Sequence, residues 1–198
     1  MGRWEPNARG RLAKAALTLY AEQGFEQTTA AEIARSAGLT ERTFFRHFAD
    51  KREVLFYGSD SVLDLLVQAV AGAPPAAGPI DAVSAALQAV GAVIQETPEP
   101  ARLRYAVVSV NQELRERELA KLAEFAAAMA AALRDRGVPE LAASLAAETG
   151  TAVYRVTFAR WIAGQAQLDL GDLPELLRES MAELGDVFTD RLLSFPAS

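Results

Sequence analysis

An all-α fold is what the sequence predicts, and three observations support it. Apolar residues recur at helical spacing along most of the 198 residues. Glycine and proline separate these segments, and no alternating, β-branched stretch of useful length lies between them. The composition is 51% hydrophobic but only 8% aromatic, which favours helices that pack closely through small side chains.

The first helix is predicted over about residues 7–23. Leu12, Ala16 and Tyr20 recur at four-residue steps and would form its buried face. Gly24 follows as the stop, because glycine readily adopts the left-handed backbone conformation in which helices commonly end.

Two short helices come next, joined by a tight turn. Thr29 with Glu32 three residues later forms a capping box, in which each side chain bonds the other residue's backbone amide. Gly38 is predicted to take a positive φ at the corner, and a third helix then runs from Thr40 to Phe48. This pattern is typical of a helix-turn-helix.

The rest of the chain is predicted to be helical as well. Asp50 with Glu53 is a second capping pair, which would open a fourth helix that reaches Val70. Beyond it, prolines and glycines divide the sequence into five further helices, predicted near residues 80–95, 99–109, 112–136, 139–168 and 173–194.

The charge is uneven along the chain and indicates two domains. The net charge is -6, yet residues 1–57 hold nine basic and seven acidic side chains, which leaves +2 there and -8 in the rest. The acidic average argues against indiscriminate coating of nucleic acid, but a local basic surface is compatible with docking by one end. We predict a helix-turn-helix domain over residues 1–56 and a larger helical domain over residues 57–198.

The third helix presents two arginines on its exposed side. A turn of about 100° per residue places Arg42 and Arg46 opposite Phe44 and puts Thr43 and Phe45 on the outward face. Arginine can donate two hydrogen bonds to guanine in the major groove, and threonine can contact a base or a thymine methyl. A helix with this face can read DNA sequence; a merely solvated face is the alternative for both arginines.

The run from Ala21 to Leu55 resembles a known family. It contains Thr29-Ala-Ala-Glu-Ile-Ala-Arg and Thr40-Glu-Arg-Thr-Phe-Phe-Arg-His-Phe, and it looks like the N-terminal signature of tetracycline-repressor-like (TetR) transcriptional regulators. The resemblance implies a homodimer whose head binds a palindromic DNA operator and whose helical body binds a small effector that weakens DNA binding. It also implies DNA contacts at Thr29, Thr40, Arg42, Thr43, Phe45, His47 and Lys51, to which the outward face of the third helix adds Arg46.

Two positions depart from the family pattern. The family most often has tyrosine where Phe45 stands, so a hydroxyl that would bond a phosphate is missing here. Arg42 stands where glycine is frequent, so its base-reading role follows from its place on the helix and not from the family. These departures keep open a second interpretation, a helical ligand-binding or scaffold protein that has lost specific DNA binding.

The last two predicted helices carry apolar residues on more than one face. A helix that is apolar on two sides needs two burials, one in its own domain and one against another chain. We therefore predict a homodimer through these helices, with ordinary core packing as the alternative. The predicted interface residues are Val153, Val156, Leu177, Met181, Leu184 and Phe188.

An effector pocket is predicted among the helices near residues 99–168. Bulky apolar side chains with a few polar anchors suit a mostly apolar small molecule, such as a fatty-acyl or aromatic compound. Core packing is the alternative for each of these side chains. The predicted lining residues are Tyr105, Asn111, Gln112, Phe125, Met129, Tyr154, Phe158, Trp161 and Gln165.

Several classes of function are excluded or disfavoured. With no cysteine and one histidine, disulfides, thiolate metal sites and multi-histidine metal sites are excluded. The chain contains neither Gly-x-Gly nor Gly-x-Ser-x-Gly, so no nucleotide-binding loop or nucleophile elbow is expected. We therefore expect no enzyme activity, no cofactor and no metal.

Membrane insertion and secretion are not expected either. The longest uninterrupted apolar run, Phe125 to Leu133, is far shorter than the roughly 20 residues that cross a bilayer. Charged residues such as Arg9, Arg11 and Lys14 interrupt the N-terminal segment, which lacks a secretory apolar region. The cytoplasm is the expected location.

Overall fold

The computed structural model describes residues 7–164 and 171–193, with side chains described through residue 187. These residues form nine α-helices and one 3-10 turn, Glu53–Phe56, and no strand. The all-α prediction is therefore confirmed. The helices are α1 (Ala8–Gln23), α2 (Ala30–Ser36), α3 (Glu41–His47), α4 (Ser59–Ala71), α5 (Pro79–Glu96), α6 (Pro98–Val110), α7 (Gln112–Asp135), α8 (Glu140–Gly164) and α9 (Leu173–Leu193).

The chain divides into two compact units that are discontinuous in sequence. Unit 1 contains the described residues up to 60 together with 97–120, and unit 2 contains 61–96 together with the described residues from 121 onward. Unit 1 is thus larger than the predicted first domain, because α6 packs against α1. The linear division between residues 56 and 57 stays a prediction about function.

Local signals determine how α1 begins and ends. The Asn7 side-chain oxygen accepts a hydrogen bond from the Gly10 amide at 2.9 Å, and Asn7 itself has a φ of 67°. Gly24 ends the helix with a φ of 89°, a conformation that costs residues with a side chain more than glycine. The predicted bounds of α1 are confirmed.

The capping box at the start of α2 is present as predicted. The Thr29 hydroxyl accepts from the Glu32 amide at 3.2 Å, and the Thr29 amide donates to the Glu32 carboxylate at 2.8 Å. Gly38 has the expected positive φ, 68°, and α3 follows with Thr40 as its N-cap.

The predicted fourth helix is wrong in one respect, because it is not continuous. Asp50 accepts backbone hydrogen bonds from Arg52 and Glu53, but only a 3-10 turn follows. The chain then bends at Gly58, where φ is 92°, and α4 begins at Ser59. Apolar residues on both sides of the bend are compatible with one helix or two, so periodicity alone did not reveal the break.

The bend also bears on membrane insertion. Among the described residues, Glu53–Ala71 is the single stretch with the length and composition to cross a bilayer. The α-helical part, α4, has 13 residues and spans about 20 Å, which is shorter than the roughly 30 Å hydrocarbon core. Its Leu66 and Val70 are buried within the protein. We interpret it as a core helix.

Unit 2 is built by close approach of α5, α8 and α9. Gly150 on α8 lies so near α5 that a β-carbon at this position would be 2.3 Å from Cγ1 of Val83. A β-carbon at Gly91 on α5 would be 2.9 Å from Cδ1 of Leu177 on α9. Glycine at these two positions is therefore what lets the three helices pack at this distance.

Candidate functional site

The turn between α2 and α3 holds the two helices in a fixed relation. The Leu39 amide donates to the Ala34 carbonyl at 2.8 Å, and the Gly38 amide donates to the Arg35 carbonyl at 3.0 Å. Ala34 is buried, as are Ile33 and Phe44, which are 0% exposed. The α2-α3 pair is thus anchored on one side and open on the other.

The open side of α3 carries Arg42, Phe45 and Arg46 as the sequence predicted, whereas Thr43, predicted for the same face, is half-buried. Arg42 and Arg46 are exposed, and the Phe45 ring is 53% exposed. Phe45 keeps its position by an edge contact with the buried Phe44 ring, with 5.3 Å between the ring centroids. The exposed side of α3 therefore carries two arginines and an aromatic ring.

The three predicted threonines take part in capping. The Thr40 hydroxyl accepts from the Thr43 amide at 3.2 Å and lies 3.0 Å from the Thr43 hydroxyl. The Thr29 hydroxyl donates to the Glu32 carboxylate at 2.8 Å. Backbone and side-chain hydrogen bonds from Thr29 hold the pKa of Glu32 below its usual value, which keeps this capping carboxylate ionised.

His47 lies at the end of α3, half-buried, in a positively charged environment. Its Nε2 atom is enclosed and has no hydrogen-bond partner among the residues that the structure describes. Desolvation first, and then the nearby charges of Arg46 and Arg9, lower the pKa of His47 below its ordinary value. In the free protein this imidazole is therefore biased towards its neutral form.

Lys51 lies in a different environment from the one that the family pattern suggests. Its ammonium donates to three backbone carbonyls in the turn between α1 and α2, those of Phe25 at 2.8 Å, Thr28 at 3.1 Å and Glu26 at 3.3 Å. It also lies 4.4 Å from the centroid of the Phe25 ring. Because a lysine ammonium has three donors, all of them are used inside the protein.

Tyr20 completes this polar cluster. Its hydroxyl donates to the Lys51 carbonyl at 2.6 Å, and the residue is only 2% exposed. Burial, with a smaller contribution from the charge of Asp50, raises the pKa of Tyr20 well above its ordinary value. Tyr20 and Lys51 together connect α1 to the segment that follows α3.

Arg9 at the start of α1 contacts two aromatic rings of this unit, and the sequence did not predict these contacts. Its guanidinium carbon lies 5.4 Å from the centroid of the Phe48 ring and 6.0 Å from that of Tyr57. Both distances are within the range of a cation-π contact. Helical periodicity could not have found this contact, because the aromatic partners come about 40 residues or more after Arg9 in the chain.

Ion pairs also stabilise the part of unit 1 that lies outside the helix-turn-helix. Arg117 pairs with Glu53 at 2.7 Å, and Arg52 pairs with both Asp50 and Glu113. Arg104 pairs with Glu118 and also donates to the Leu55 carbonyl at 2.8 Å. These pairs join the 3-10 turn to α6 and to the first part of α7, the elements that sequence reasoning had assigned to the second domain.

Unit 2 contains a small apolar cavity. It offers about 30 Å³ of water-accessible space, which is room for about two water molecules. None of its lining residues is charged, and the hydroxyl of Thr151 already donates to the Ala147 carbonyl at 2.9 Å. The lining residues are Val62, Leu66, Leu87, Val90, Leu122, Phe125, Met129, Thr151 and Tyr154.

The cavity brings together three of the predicted effector residues, Phe125, Met129 and Tyr154. Phe158 stacks on Tyr154 with 5.5 Å between ring centroids, and Trp161 follows at 6.0 Å from Phe158, but both belong to the buried core and do not line the cavity. Gln165 lies outside the described residues.

Three other predicted effector residues belong to unit 1 and not to this cavity. Asn111 caps α7 by accepting from the Leu114 amide at 3.1 Å, and it donates to Glu26 at 3.0 Å. Gln112 is exposed and donates to Glu116 at 3.1 Å. Tyr105 is half-buried on α6. In the sequence these residues follow the first segment of unit 2, residues 61–96, so they were predicted to belong to the larger helical domain.

The predicted dimer residues differ in their exposure. Val156 is 63% exposed, whereas Val153, Met181 and Leu184 are half-buried. Leu177 is 0% exposed and packs in the core of its own unit, where it approaches Gly91, so its side chain cannot contact another chain directly. The side chain of Phe188 lies outside the described residues.

Metal binding finds no support in this part of the chain. Across residues 7–164 and 171–193, no group of three or more histidine, aspartate or glutamate side chains could hold an ion.

Comparison with known proteins relates the first part of the chain to bacterial regulators. The family model for "Bacterial regulatory proteins, tetR family" matches residues 12–57. The HTH-type transcriptional regulator TcmR of Streptomyces glaucescens is 38% identical over 82 residues, which are 41% of this chain and 36% of TcmR. The chain thus matches only about a third of the length of that relative.

Solved structures extend the likeness of fold to most of the chain. The SmeT-triclosan complex is similar with a TM-score of 0.63 and 20% identity, covering 89% of this chain and 90% of SmeT. FadR of Thermus thermophilus, in complex with lauroyl-CoA, has a TM-score of 0.56 and 22% identity, covering 88% of this chain and 91% of FadR. At these identities the likeness establishes the fold alone.

Proposed function

Because this chain belongs to the tetR family of bacterial regulatory proteins, we propose that it is a cytoplasmic transcriptional repressor. It binds a palindromic operator as a homodimer and releases the DNA when a small, mostly apolar effector binds. The α2-α3 pair contacts the DNA, α8 and α9 join the two protomers, and the cavity of unit 2 receives the effector.

The exposed face of α3 is the observation that carries this proposal. Arg42, Phe45 and Arg46 are exposed on a helix whose opposite side is anchored by the fully buried Phe44. An arginine fork that points into a major groove can bond both acceptors on the edge of guanine. In a two-fold symmetric dimer the two α3 helices would enter successive major grooves about 34–36 Å apart.

Selection from random duplex DNA tests the repressor directly. The purified full chain is expected to enrich one palindromic sequence whose half-sites are about one helical turn apart. A scaffold protein that has lost DNA binding would enrich no sequence, and this result would contradict the proposal. An in vitro transcription assay on the enriched site then distinguishes repression from activation.

The proposed dimer surface can be tested with two matched valine variants. Val156 on α8 is 63% exposed and Val93 on α5 is 54% exposed. A charge at a self-associating apolar surface should dissociate it. Light scattering should therefore find the Val156→Glu variant monomeric and the Val93→Glu variant dimeric. If the Val156→Glu variant were dimeric, this part of α8 would not belong to the dimer interface.

The proposed effector site requires the cavity of unit 2 to open. Its present volume of about 30 Å³ is far below the several hundred Å³ that a drug-sized ligand occupies. The apolar, uncharged lining favours a mostly apolar molecule. Triclosan, from the SmeT complex, and lauroyl-CoA, from the FadR complex, are two probes of that kind with very different sizes.

Native mass spectrometry and DNA release test the effector site. Val62→Phe adds bulk to the cavity lining, while Val67→Phe makes the same change on the same helix at a half-buried residue that does not line the cavity. A molecule retained by the native protein should be lost from the Val62→Phe variant only. The proposal is contradicted if both variants retain it equally.

A further inference from the structure

One group of side chains on unit 1 lies where the start of α1 approaches the end of α3. The guanidinium carbon of Arg9 at the start of α1 lies 5.4 Å from the centroid of the Phe48 ring, and Phe48 directly follows Arg46 and His47 at the end of α3. From this grouping we infer that Arg9, Arg46 and His47 together bind a backbone phosphate of the DNA. The inference rests on the DNA-binding function proposed above and adds Arg9 to it.

Aromatic contacts orient the guanidinium of Arg9. The Phe48 and Tyr57 rings lie 5.4 Å and 6.0 Å from its central carbon, and Phe48 is itself held at 5.7 Å from the buried Phe44 ring. A guanidinium that rests on aromatic faces keeps its N–H edge available. That planar edge can donate two parallel hydrogen bonds to phosphate oxygens.

The charges around His47 favour an anion. Arg46, on α3, and Arg9, on α1, are the charged groups that act on the imidazole, and both disfavour its protonated form. The Tyr57 ring lies 6.0 Å from the Arg9 guanidinium carbon, and the Tyr57 hydroxyl donates to the Asn7 side chain at 3.5 Å. No acidic side chain of the described residues pairs with Arg9 or Arg46. A phosphate would supply the missing negative charge.

Arg9 is better placed than Lys51 to bind a phosphate. All three N–H groups of Lys51 donate to backbone carbonyls, so a phosphate would have to displace internal hydrogen bonds. Arg9 is exposed, and its guanidinium rests on two aromatic rings. The family pattern assigns a DNA contact to Lys51, which follows α3. In our proposal Arg9, in the first turn of α1, supplies this contact instead.

Salt dependence of DNA binding tests the inference with a matched control. Arg9→Gln removes one charge from the cluster, and Arg134→Gln removes one exposed charge from α7 in unit 2. With fluorescence anisotropy on the selected operator, Arg9→Gln should reduce the slope of log K against log salt by about 0.9 per protomer and weaken binding on the order of tenfold. Arg134→Gln should match the native protein.

His47 provides a second readout because it is the single histidine of the chain. Its ring proton signals in NMR can be followed through a pH titration without any assignment problem. Loss of the Arg9 charge should raise the pKa of His47 in the free protein, and DNA should raise the pKa of His47 in the native protein.

The possible outcomes separate the inference from the proposed function. If the native protein enriches a DNA sequence but Arg9→Gln keeps its affinity, its salt slope and the His47 titration unchanged, the phosphate site is overturned. If the native protein binds no DNA while Arg9→Gln still shifts the His47 titration, the proposed function fails and the cation cluster stands. Should Arg9→Gln unfold, Arg9→Lys replaces it and is expected to keep the salt slope while losing severalfold in affinity.

Discussion

The two units of this protein differ in the contacts that fix the positions of the helices within each of them. In unit 1, directed polar interactions supplement a buried apolar core; examples are the capping box of Thr29, the three carbonyl bonds of Lys51 and the hydroxyl of Tyr20 on the Lys51 carbonyl. In unit 2, Arg136 donates to the carbonyls of Ala73 and Pro74, but the long helices pack directly on one another and approach closely at Gly150 and Gly91. Directed bonds fix the angle and position of a short helix, whereas long helices are positioned by the interdigitation of the side chains between them.

This difference suits the proposed roles of the units. A helix that reads bases must be held in one orientation, because hydrogen bonds to base edges weaken steeply with angle. A cavity that opens for an effector must lie in a region whose packing can rearrange, and unit 2 has an apolar cavity with no charged lining. The following predictions test whether each unit depends on the contacts named.

The largest loss of stability is expected at Gly150 in unit 2. A β-carbon there would lie 2.3 Å from Cγ1 of Val83, and a valine side chain has little freedom to move away. Although alanine is a better helix former than glycine, Gly150→Ala should lower the free energy of unfolding by about 2–3 kcal/mol, measured by urea denaturation.

Two controls accompany this change. Gly185→Ala places a β-carbon on α9 where, beyond the backbone of its own helix and its chain neighbours, no heavy atom of the described residues lies within 4 Å, so it should be neutral or stabilising by up to about 1 kcal/mol. Adding Val83→Ala to Gly150→Ala should restore part of the loss, because it removes the clashing methyl group. A stable Gly150→Ala single variant would show that α5 and α8 are not packed this closely.

Loss of Lys51 should affect unit 1 through its fold. Lys51→Met keeps the length of the side chain but leaves the carbonyls of Phe25, Glu26 and Thr28 without their donor. Partly exposed carbonyls can bond water instead, so the expected loss is about 1–2 kcal/mol in the free energy of unfolding. Urea denaturation measures it.

Lys14 on α1 provides the matched control for Lys51. It is exposed, and Lys14→Met removes the same charge from the same unit without breaking a side-chain hydrogen bond of the fold, so it should leave stability within about 0.5 kcal/mol of the native protein. A Lys51→Met variant with native stability and a reduced salt slope of DNA binding would instead assign Lys51 to a phosphate.

The smallest expected effect is at Tyr20, and it depends on pH. Burial raises the pKa of Tyr20 in the folded protein, so the protonated hydroxyl is favoured by folding. The resulting stabilisation is fully present below pH 10, the ordinary value, and is lost as the pH rises above it. Tyr20→Phe should cost about 1 kcal/mol at neutral pH and should make unfolding less sensitive to pH above 10.

Chemical denaturation at several pH values checks this expectation. Tyr57→Phe removes the hydroxyl of an exposed tyrosine in the same unit and serves as control. Equal alkaline sensitivity in native protein and Tyr20→Phe would mean that another group is responsible.

The sequence predicted what local chemistry decides. Thr29 with Glu32, Gly24 and Gly38 indicated where helices begin and end, because caps and positive φ angles involve residues only a few positions apart. The outward position of Arg42 on α3 follows from the same kind of short-range geometry. These features need no knowledge of the tertiary structure.

The sequence could not predict what distant residues decide. Lys51 bonds a carbonyl 26 residues earlier, and no periodicity indicates where a lysine between helices will point. The assignment of Asn111 to unit 1 likewise depends on Glu26, which is 85 positions away. The bend at Gly58 was missed because the flanking apolar residues fit a continuous helix equally well.

The central claim is that the exposed face of α3 reads DNA sequence, and Arg42 is its most direct test. The affinities of native protein and Arg42→Ala should be measured at the same salt concentration, on the selected operator and on operators with single base changes. Arg42→Ala should lose about 1–3 kcal/mol on the operator and should no longer distinguish the base pair that Arg42 contacts. An Arg42→Ala variant with native affinity and undiminished sequence preference would contradict the claim.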